Sequence, residues 1–358
     1  MNKSTSTTFY ILTNTLQPGG AERQCLYLAN ALAQHYRVTM IVYYGNQVDS
    51  SYLSLATNDK IQLIRLHGNH FSKLLKLFSL FRKNKEAILI SYLATTNFIN
   101  AIIGTMAGIK TKIGGIRSEK IERKKFIVQR FLHNHFLTYT ISNNHAACPY
   151  LIEHGFDKDK ILVIHNCIGD LPTFNKKSES MPVKILALSR FVWEKDLIIA
   201  LRSIELLKKQ NPVHRFQFIL AGYGPEEKNL RSFIDEKQLS DVVKVVINPD
   251  VKHELNNADI FLITSKVEGT SNSIMEAMAY GLPIVTTDAG DSKCLVENGV
   301  TGNVCKIGDY ESIAFCLQSL VNSYEQRIKF GLNGYTKIKN EFSVETMLSH
   351  YLELIERK

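Results

Sequence analysis

Two carboxylates on either side of a predicted helix start are the strongest chemical feature of the chain. Glu268 and Glu276 lie eight positions apart within the stretch 265–285. Cap-type residues at 270–272, followed by apolar residues, predict a helix that begins between the two acids, and Gly281 predicts its end. Free backbone amides at a helix N-terminus bind anions, and carboxylates accept hydrogen bonds from hydroxyl groups. The stretch therefore suits a ligand that carries both phosphates and sugar hydroxyls.

Two cations earlier in the chain are candidates for the same ligand. Arg190 and Lys195 are five positions apart around the end of a predicted strand at 183–189, so both can converge on one point. Paired cations stabilise the charge that develops on a diphosphate leaving group. The alternative is a solvated arginine and lysine in a surface loop.

Two glycine loops also follow predicted strands. Gly19 and Gly20 precede a predicted helix, and Gly222 and Gly224 flank Tyr223 ahead of another. Glycine lets a backbone approach a bound phosphate closely at a helix start. Either loop alone is weak evidence, because structural turns also use such pairs.

The apolar pattern predicts an α/β fold with two doubly wound parallel sheets. Strand-like and helix-like segments alternate on both sides of 169–182, a stretch with two prolines and no apolar period that we predict to be a linker. A final amphipathic helix is predicted at 343–358. Ligands bind beyond the carboxyl ends of strands in open α/β sheets, so we expect a ligand cleft between two facing domains. The predicted strands are 8–13, 37–44, 61–66, 88–92, 112–116, 137–142 and 161–164, then 183–189, 216–221, 242–247, 259–264 and 283–287.

The net charge of +9 is concentrated in the first half of the chain. Residues 1–170 hold 20 Lys+Arg and 10 Asp+Glu, or +10, whereas residues 171–358 hold 23 and 24, or −1. This asymmetry predicts an anionic partner for the first half, either a membrane surface or a phosphorylated acceptor. Two basic, apolar segments at 71–85 and 120–131 are candidate membrane-surface helices, with core-packed helices as the alternative. We predict that the uncharged stretch 87–109 is a buried strand and helix, not a membrane span.

Composition argues against metal chemistry and secretion. The six cysteines are scattered without a C-x-x-C pair, and the eleven histidines show no H-x-x-x-H or H-E-x-x-H spacing. The first residues lead into a strand without the apolar region of a signal peptide. We therefore expect a reduced, cytoplasmic protein with no metal cofactor.

The candidate site residues and their spacing together resemble those of a known family. Glu268-x7-Glu276 followed by A-M-A-x-G-x-P-I-V resembles the E-x7-E signature of retaining GT-B glycosyltransferases of family 4. Three further motifs agree in the right order, and the stretch T-T-N after I-L-I-S-Y is similar to bacterial transferases that build lipid-linked oligosaccharides, such as N-glycan and O-antigen assembly enzymes. The three motifs are Gly19-Gly20-Ala21-Glu22 (G-G-x-E), Ser189-Arg190 with Glu194-Lys195 (G-R-x-x-x-E-K) and Gly222-Tyr223-Gly224-Pro225 (G-x-G-P/E).

The resemblance implies a fold and a domain organisation. It implies two Rossmann-like domains that face each other across a cleft, with the last helix crossing back to the N-terminal domain. Residues 1–168 with 343–358 would bind the acceptor, and residues 183–342 would bind the nucleotide-sugar donor.

The resemblance also implies a role for each site residue. Arg190 and Lys195 would hold the donor diphosphate. Glu276 would accept hydrogen bonds from the ribose, and Glu268 would contact donor sugar hydroxyls near the reacting carbon. The Gly20 loop would approach the distal phosphate, which the backbone amides of Ser271, Asn272 and Ser273 would cap.

The chain departs from the family pattern at four places: Asp196, Thr270-Ser271, the region 115–119 and Asn248-Pro249-Asp250. The family often has glycine where Asp196 stands. Many members have a histidine in the N-terminal domain, but the corresponding region here, 115–119, has none. Arg117 and Glu119 are the candidates for that position.

The expected function is a metal-independent, retaining transfer of a sugar from a nucleotide-sugar, most simply a UDP-sugar, to a polyprenyl-diphosphate-linked glycan at the cytoplasmic membrane face. Two alternatives stay open: a nucleotide-sugar epimerase or hydrolase on the same fold, and a non-catalytic sugar- or lipid-binding module. The sequence does not identify the sugar, the base or the acceptor, and no nucleic-acid partner is expected.

Overall fold

The computed structural model describes residues 7–117, 123–179, 181–210 and 215–356. The described residues form two compact units. The first comprises the chain up to Gly169 together with the segment from Ser343 onward, and the second is Asp170–Phe342. The domain boundaries and the linker expected from the sequence stay predictions. Residues 170–179 belong to the second unit, where Lys177 donates to the carbonyl of Leu255 and accepts a hydrogen bond at its own carbonyl from the hydroxyl of Tyr324.

The first unit is built on a parallel sheet. Its strand order is β3-β2-β1-β4-β5-β6-β7, so the chain reverses direction across the sheet between β1 and β4, as in a doubly wound fold. The central strands β1 and β4 are buried on both faces, which explains their continuous apolar runs. The strands are β1 Thr8–Thr13, β2 Arg37–Val42, β3 Ile61–Arg65, β4 Ile88–Ser91, β5 Thr111–Ile116, β6 Tyr139–Ser142 and β7 Ile161–Val163.

Helices cover this sheet. The C-terminal helix α14 packs against α1, while α4 packs against both α3 and α5. Met347, Tyr351 and Leu354 of α14 join the same core cluster as the apolar side chains of α1, β1 and β4. The helices of this unit, labelled in chain order, are α1 Gly20–Ala33, α2 Ser50–Leu53, α3 His70–Arg82, α4 Ala94–Ala107, α5 Arg123–His135, α6 Ala147–Glu153 and α14 Val344–Glu356.

The uncharged stretch 87–109 forms β4 and α4, and buried asparagine side chains of α4 form hydrogen bonds with β4 and β5. Asn100 donates to Ser91 Oγ and to the carbonyl of Ile113, both at 2.9 Å, and Asn97 donates to the carbonyl of Gly115 at 2.9 Å. These bonds attach α4 to the ends of β4 and β5. Within the described residues, no helix combines the length and the apolar content that a membrane crossing requires.

The second unit contains another parallel sheet, with strand order β10-β9-β8-β11-β12-β13. Its strands are β8 Val183–Arg190, β9 Phe216–Tyr223, β10 Val243–Ile247, β11 Ile260–Ile263, β12 Ile284–Thr287 and β13 Gly302–Cys305. Its helices are α7 Leu197–Gln210, α8 Glu227–Glu236, α9 Val251–Asn257, α10 Asn272–Ala279, α11 Ser292–Leu295, α12 Tyr310–Asn322 and α13 Tyr324–Glu341. The reversal of strand order falls between β8 and β11, so the loops that leave these neighbouring strands lie side by side.

The prediction of an α/β fold with two doubly wound parallel sheets is confirmed. One strand of the second sheet was missed, because β13 is the four-residue segment G-N-V-C, too short and too polar to give an apolar run.

Candidate active site

An ion pair lies at the carboxyl end of the second sheet. Lys195 Nζ contacts Glu268 Oε1, and the two side chains are only 16% and 12% exposed. The lysine follows β8 and the glutamate follows β11, the two strands at which the order reverses. A partly buried pair is weakly screened by water, so each charge strongly influences what binds beside it.

The loop that carries Lys195 is held by hydrogen bonds from a threonine side chain to its backbone. It forms a short 3-10 turn, Trp193–Lys195, that ends at Asp196 in the left-handed region with φ +46°. The hydroxyl of Thr264 donates to the carbonyls of Lys195 and Asp196 at 3.0 and 3.1 Å. The end of β11 thereby fixes the loop that follows β8.

The departure from the family pattern at Asp196 has a structural explanation. A left-handed backbone favours glycine, which is the residue the family often has there, and aspartate is among the few others that tolerate it. The Asp196 carboxylate also lies 3.0 Å from Lys266 Nζ. This ion pair offsets part of the cost of placing a non-glycine residue in the left-handed region, and a glycine could not form it.

Glu268 is positioned by its own loop. The hydroxyl of Ser265 donates to Glu268 Oε1 at 2.8 Å, and Thr287 of β12 donates to the carbonyl of Ser265 at 2.6 Å. Gly290 lies against the backbone of Glu268, where a Cβ would come within 2.2 Å of its carbonyl oxygen. The sequence did not reveal Ser265 as a partner of Glu268, although its place three residues before the acid was an available signal.

Helix α10 begins between the two acids, as the sequence predicted. Ser271 is the N-cap, and its hydroxyl lies 3.1 Å from that of Ser273. Asn272 is the first helical residue. Glu276 lies in the second turn and is half-buried. Burial raises the pKa of the Tyr280 phenol, and the nearby carboxylate of Glu276 raises it further.

The glycine loop after β9 requires glycine for steric reasons. Gly222 and Gly224 both have φ +154°, and a Cβ on Gly222 would lie 1.8 Å from the carbonyl oxygen of Ser189. A Cβ on Gly224 would lie 2.4 Å from the carbonyl oxygen of Phe191. The two glycines therefore let the end of β9 pack directly against the segment that contains Arg190, which is exposed.

The glycine loop of the first unit lies at the start of α1. Gly20 is the first helical residue and Gly19 is its N-cap. The amide of Gly19 donates to the Tyr52 hydroxyl at 2.9 Å, and that hydroxyl donates back to the Gly19 carbonyl at 3.2 Å. Tyr52 was not singled out from the sequence, because nothing in its spacing links it to residue 19.

Arg117 follows β5 in the first unit. Its Nη1 donates to Asn166 Oδ1 at 2.7 Å, and its guanidinium lies 4.5 Å from the centre of the buried Tyr92 ring. Arg117 also moderates the pKa of Cys167, which burial raises to about 12. Glu119, the other candidate, lies outside the described residues.

Within the described residues, no group of three or more His, Cys, Asp or Glu side chains is arranged to hold a metal ion. The candidate site is a set of cations, acids and a helix start, which suits hydrogen bonding and charge neutralisation.

Comparison with known families identifies the second unit. The family model described as "Glycosyl transferases group 1" matches residues 172–337. The prediction of a glycosyltransferase is confirmed at that level.

The curated relatives carry the same kind of name. The amylovoran biosynthesis glycosyltransferase AmsK of Erwinia amylovora is 31% identical over 219 residues, which is 58% of this chain and 53% of that protein. The chain thus matches about half the length of this relative. A Campylobacter jejuni protein, named as an α-1,4-N-acetyl-D-galactosaminyltransferase for a PP-undecaprenol-linked glycan, is 24% identical over 95% of this chain and 96% of its own length.

Solved structures share the fold. The crystal structure of Anabaena HepE in complex with UDP superposes with a TM-score of 0.80, at 19% identity over 98% of this chain and 100% of that one. The predicted GT-B fold, with its two Rossmann-like units, is confirmed.

Proposed function

We propose that the chain is a retaining glycosyltransferase of family 4 that moves a sugar from a UDP-sugar to a lipid-linked glycan during assembly of a cell-surface polysaccharide. The family of residues 172–337 supports the reaction class. The UDP bound by HepE supports the donor, and the substrate for which the Campylobacter relative is named supports the acceptor. The order of four motifs in the sequence supports family 4 and retention of configuration.

The observation that carries this proposal is the pairing of Lys195 with Glu268 beside the N-terminus of α10. A diphosphate needs cations and backbone amides, and a sugar needs acceptors for its hydroxyls. Arg190, Lys195 and the start of α10 supply the first set, and the carboxylates supply the second. Few ligands other than a nucleotide-sugar need phosphate-binding groups and hydroxyl acceptors together in the neighbouring loops after β8 and β11.

In the proposed reaction, the bond between the anomeric carbon and the donor phosphate oxygen breaks, and a bond to the acceptor oxygen forms on the same face of the sugar. The acceptor proton passes to the leaving phosphate oxygen, and UDP departs. Arg190 and Lys195 neutralise the charge that develops on the diphosphate, and the amides of Ser271, Asn272 and Ser273 cap its distal phosphate.

Glu276 accepts hydrogen bonds from the ribose, and Glu268 accepts them from the donor sugar. Lys195 and the Ser265 hydroxyl hold the Glu268 carboxylate in one orientation. A carboxylate fixed in this way does not have to reorganise during the transfer.

The first unit is proposed to bind the acceptor. Arg117 supplies a guanidinium after β5 in place of the family histidine, while the Gly19-Gly20 loop keeps the role that the resemblance implies, an approach to the distal phosphate of the donor. The excess positive charge of residues 1–170 suits a polyprenyl-diphosphate head and an anionic membrane at the cytoplasmic face.

Incubation of the protein with UDP-sugars, with and without a membrane lipid extract and with EDTA present, tests the proposal. We expect UDP release that depends on the extract and on Glu268, with the sugar recovered in the lipid fraction. Rapid release of free sugar or an epimer without extract would instead favour the hydrolase or epimerase. Absence of both UDP affinity and turnover would favour a binding module.

A further inference from the structure

Within the described residues, three consecutive helices of the first unit form a layer that carries no carboxylate. Helix α4 packs against α3 on one side and α5 on the other, and none of the three contains Asp or Glu. Helix α5 alone carries four basic residues, Arg123, Lys124, Lys125 and Arg130. Ordinary solvated helices mix both signs of charge, so this composition indicates an anionic partner.

Helix α5 is apolar on both of its faces. Phe126 and Leu132 face the core, while Ile127, Val128 and Phe131 are 50%, 45% and 54% exposed. Packing against the sheet explains only the first pair. Phe131 lies one turn after Ile127 and Val128, so the three share the opposite side of the helix.

The neighbouring helix extends this apolar surface. Phe98 of α4 is 46% exposed, and with Ile127, Val128 and Phe131 it lines a hollow of about 600 Å³. Exposed apolar side chains that cluster around one hollow are typical of an interaction site, whereas isolated ones need no explanation.

Cations border the apolar surface at the start of α5. Arg123, Lys124 and Lys125 are all exposed in its first turn, and Lys124 precedes Ile127 and Val128 along one side of the helix. A hollow next to the first is lined by Arg123, Arg130 and one carboxylate, that of Glu153 on α6. Among the residues that the structure describes here, the border is therefore positive overall.

The other candidate helix, α3, uses its cations differently. Lys73 is only 7% exposed and lies 4.8 and 5.2 Å from the ring centres of Tyr43 and Tyr44. Arg82 lies over Phe78 at 5.7 Å. Two of the three cations of α3 thus stabilise their own unit, although Phe71 of that helix is exposed.

We infer that the α4–α5 ridge docks on an anionic lipid bilayer. The ridge is defined as Phe98, Ile127, Val128 and Phe131 together with Arg123, Lys124 and Lys125. Its apolar side chains enter the boundary between head groups and acyl chains, and its cations contact lipid phosphates, as in other interfacial helices. A second copy of the chain is the less suitable occupant, because it would bring the cations of two ridges together.

This inference assigns a surface of the protein to the membrane named in the proposed function. It rests on the proposed function only in that the reaction takes place at a membrane. The sequence left the segments 71–85 and 120–131 equivalent. Both helices expose apolar side chains, Phe71 and Leu75 on α3 among them. The structure distinguishes the helices by the hollow that the exposed side chains of α5 line together with Phe98, and by the inward-facing cation of α3.

Co-sedimentation of the full chain with vesicles tests the inference. We expect binding to vesicles of equimolar phosphatidylcholine and phosphatidylglycerol, little binding to phosphatidylcholine alone, and weaker binding in high salt. The pair Ile127→Asp and Phe131→Asp should reduce binding about tenfold or more. The pair Arg123→Gln and Lys124→Gln should reduce it by roughly fivefold for each cation removed.

The matched control is Phe71→Asp with Leu75→Asp on α3, two exposed positions of the same layer. We expect the control to bind as the parent does. An equal loss in the control, or no binding of the parent to anionic vesicles, overturns the inference. The inference is also overturned if the parent forms a dimer in size-exclusion chromatography and only the Ile127→Asp and Phe131→Asp pair dissociates it, because the ridge would then be a dimer interface. UDP affinity is measured on the same variants and should be unchanged, so failure of the docking surface is distinguishable from failure of the donor site.

Discussion

Lys195 and Glu268 are 73 positions apart in the sequence, yet their side chains form an ion pair at the carboxyl ends of two adjacent strands. Both are largely withdrawn from water, and Ser265 supplies a second hydrogen bond to the carboxylate. In the proposed reaction the same lysine also serves the donor diphosphate. The carboxylate and the diphosphate therefore share one cation.

Replacing Glu268 by glutamine should separate donor binding from transfer. The change removes the competing carboxylate, so UDP affinity should stay constant or rise. It also removes the negative charge and replaces one acceptor oxygen by a donor amide, which weakens the hydrogen bonds from sugar hydroxyls, so turnover should fall about a hundredfold, as when one preorganised polar group is removed. Calorimetry with UDP and a turnover assay measure the two effects. A parallel loss of affinity and turnover would mean that Glu268 acts mainly through the position of Lys195.

Replacing Gly222 by alanine should destabilise the second unit by about 3 kcal/mol, because the new methyl group meets the Ser189 carbonyl and the backbone is unfavourable for alanine. Gly299→Ala is a suitable control. Gly299 has φ +77°, and no atom lies within 4 Å of the place that its Cβ would take, so only the backbone cost of about 1 kcal/mol remains. Urea unfolding of both variants gives the difference. Equal destabilisation would show that the close approach of β9 to Ser189 does not limit stability.

Asp196 allows the backbone strain to be measured separately from its ion pair. Asp196→Gly and Asp196→Ala both lose the contact with Lys266, but only glycine adopts φ +46° freely. The glycine variant should be more stable than the alanine variant by about 1 kcal/mol, a difference reduced by the greater freedom of glycine in the unfolded chain. Thermal unfolding provides the comparison, and a more stable alanine variant would contradict it.

Lys177 should produce a pH-dependent contribution to stability. Burial lowers the pKa of Lys177 to about 8, from its ordinary value of 10.5, while the nearby Asp259 opposes the shift. Between these values the folded chain has released the proton and the unfolded chain still holds it, so this group makes stability rise with pH; below about pH 8 both states are protonated and its contribution is constant.

Lys177→Met removes this titration. The free energy of unfolding of the parent, minus that of the variant, should therefore increase between about pH 7.5 and about pH 10. Taking the difference cancels the tyrosines and cysteines that titrate in the same range. A constant difference would show that Lys177 is as solvated in the folded state as in the unfolded one.

Much of the fold was predictable because parallel strands buried on both faces leave apolar runs in the sequence. Strand β1 matches its predicted bounds, and α10 begins at the predicted cap. Strand β13 was missed since its four residues leave no such run. The ends of the other strands differ from the prediction by one or two residues. Most predicted strands are too long, because apolar residues continue past the last ladder hydrogen bond, whereas β8 and β9 extend further than predicted, to Arg190 and Tyr223.

The candidate site was predictable in its residue types but not in its contacts. Spacing placed Lys195 and Glu268 in loops after strands, but their ion pair depends on which strands are neighbours in the sheet. The hydrogen bonds from Thr264 to the Lys195 loop have the same origin. Local sequence does not specify strand order, so contacts of this kind come only from the three-dimensional structure.

We propose above all that the loops after β8 and β11 bind a nucleoside diphosphate. Calorimetric titration of UDP into the parent protein and Lys195→Ala tests it most directly, with Lys209→Ala as a control for charge, since Lys209 is 69% exposed on α7. We expect metal-independent UDP binding that weakens about tenfold or more in Lys195→Ala, the loss typical of one charge-assisted hydrogen bond, and that is unchanged in Lys209→Ala. No binding of UDP to the parent, or equal affinity in the parent and Lys195→Ala, would contradict the claim.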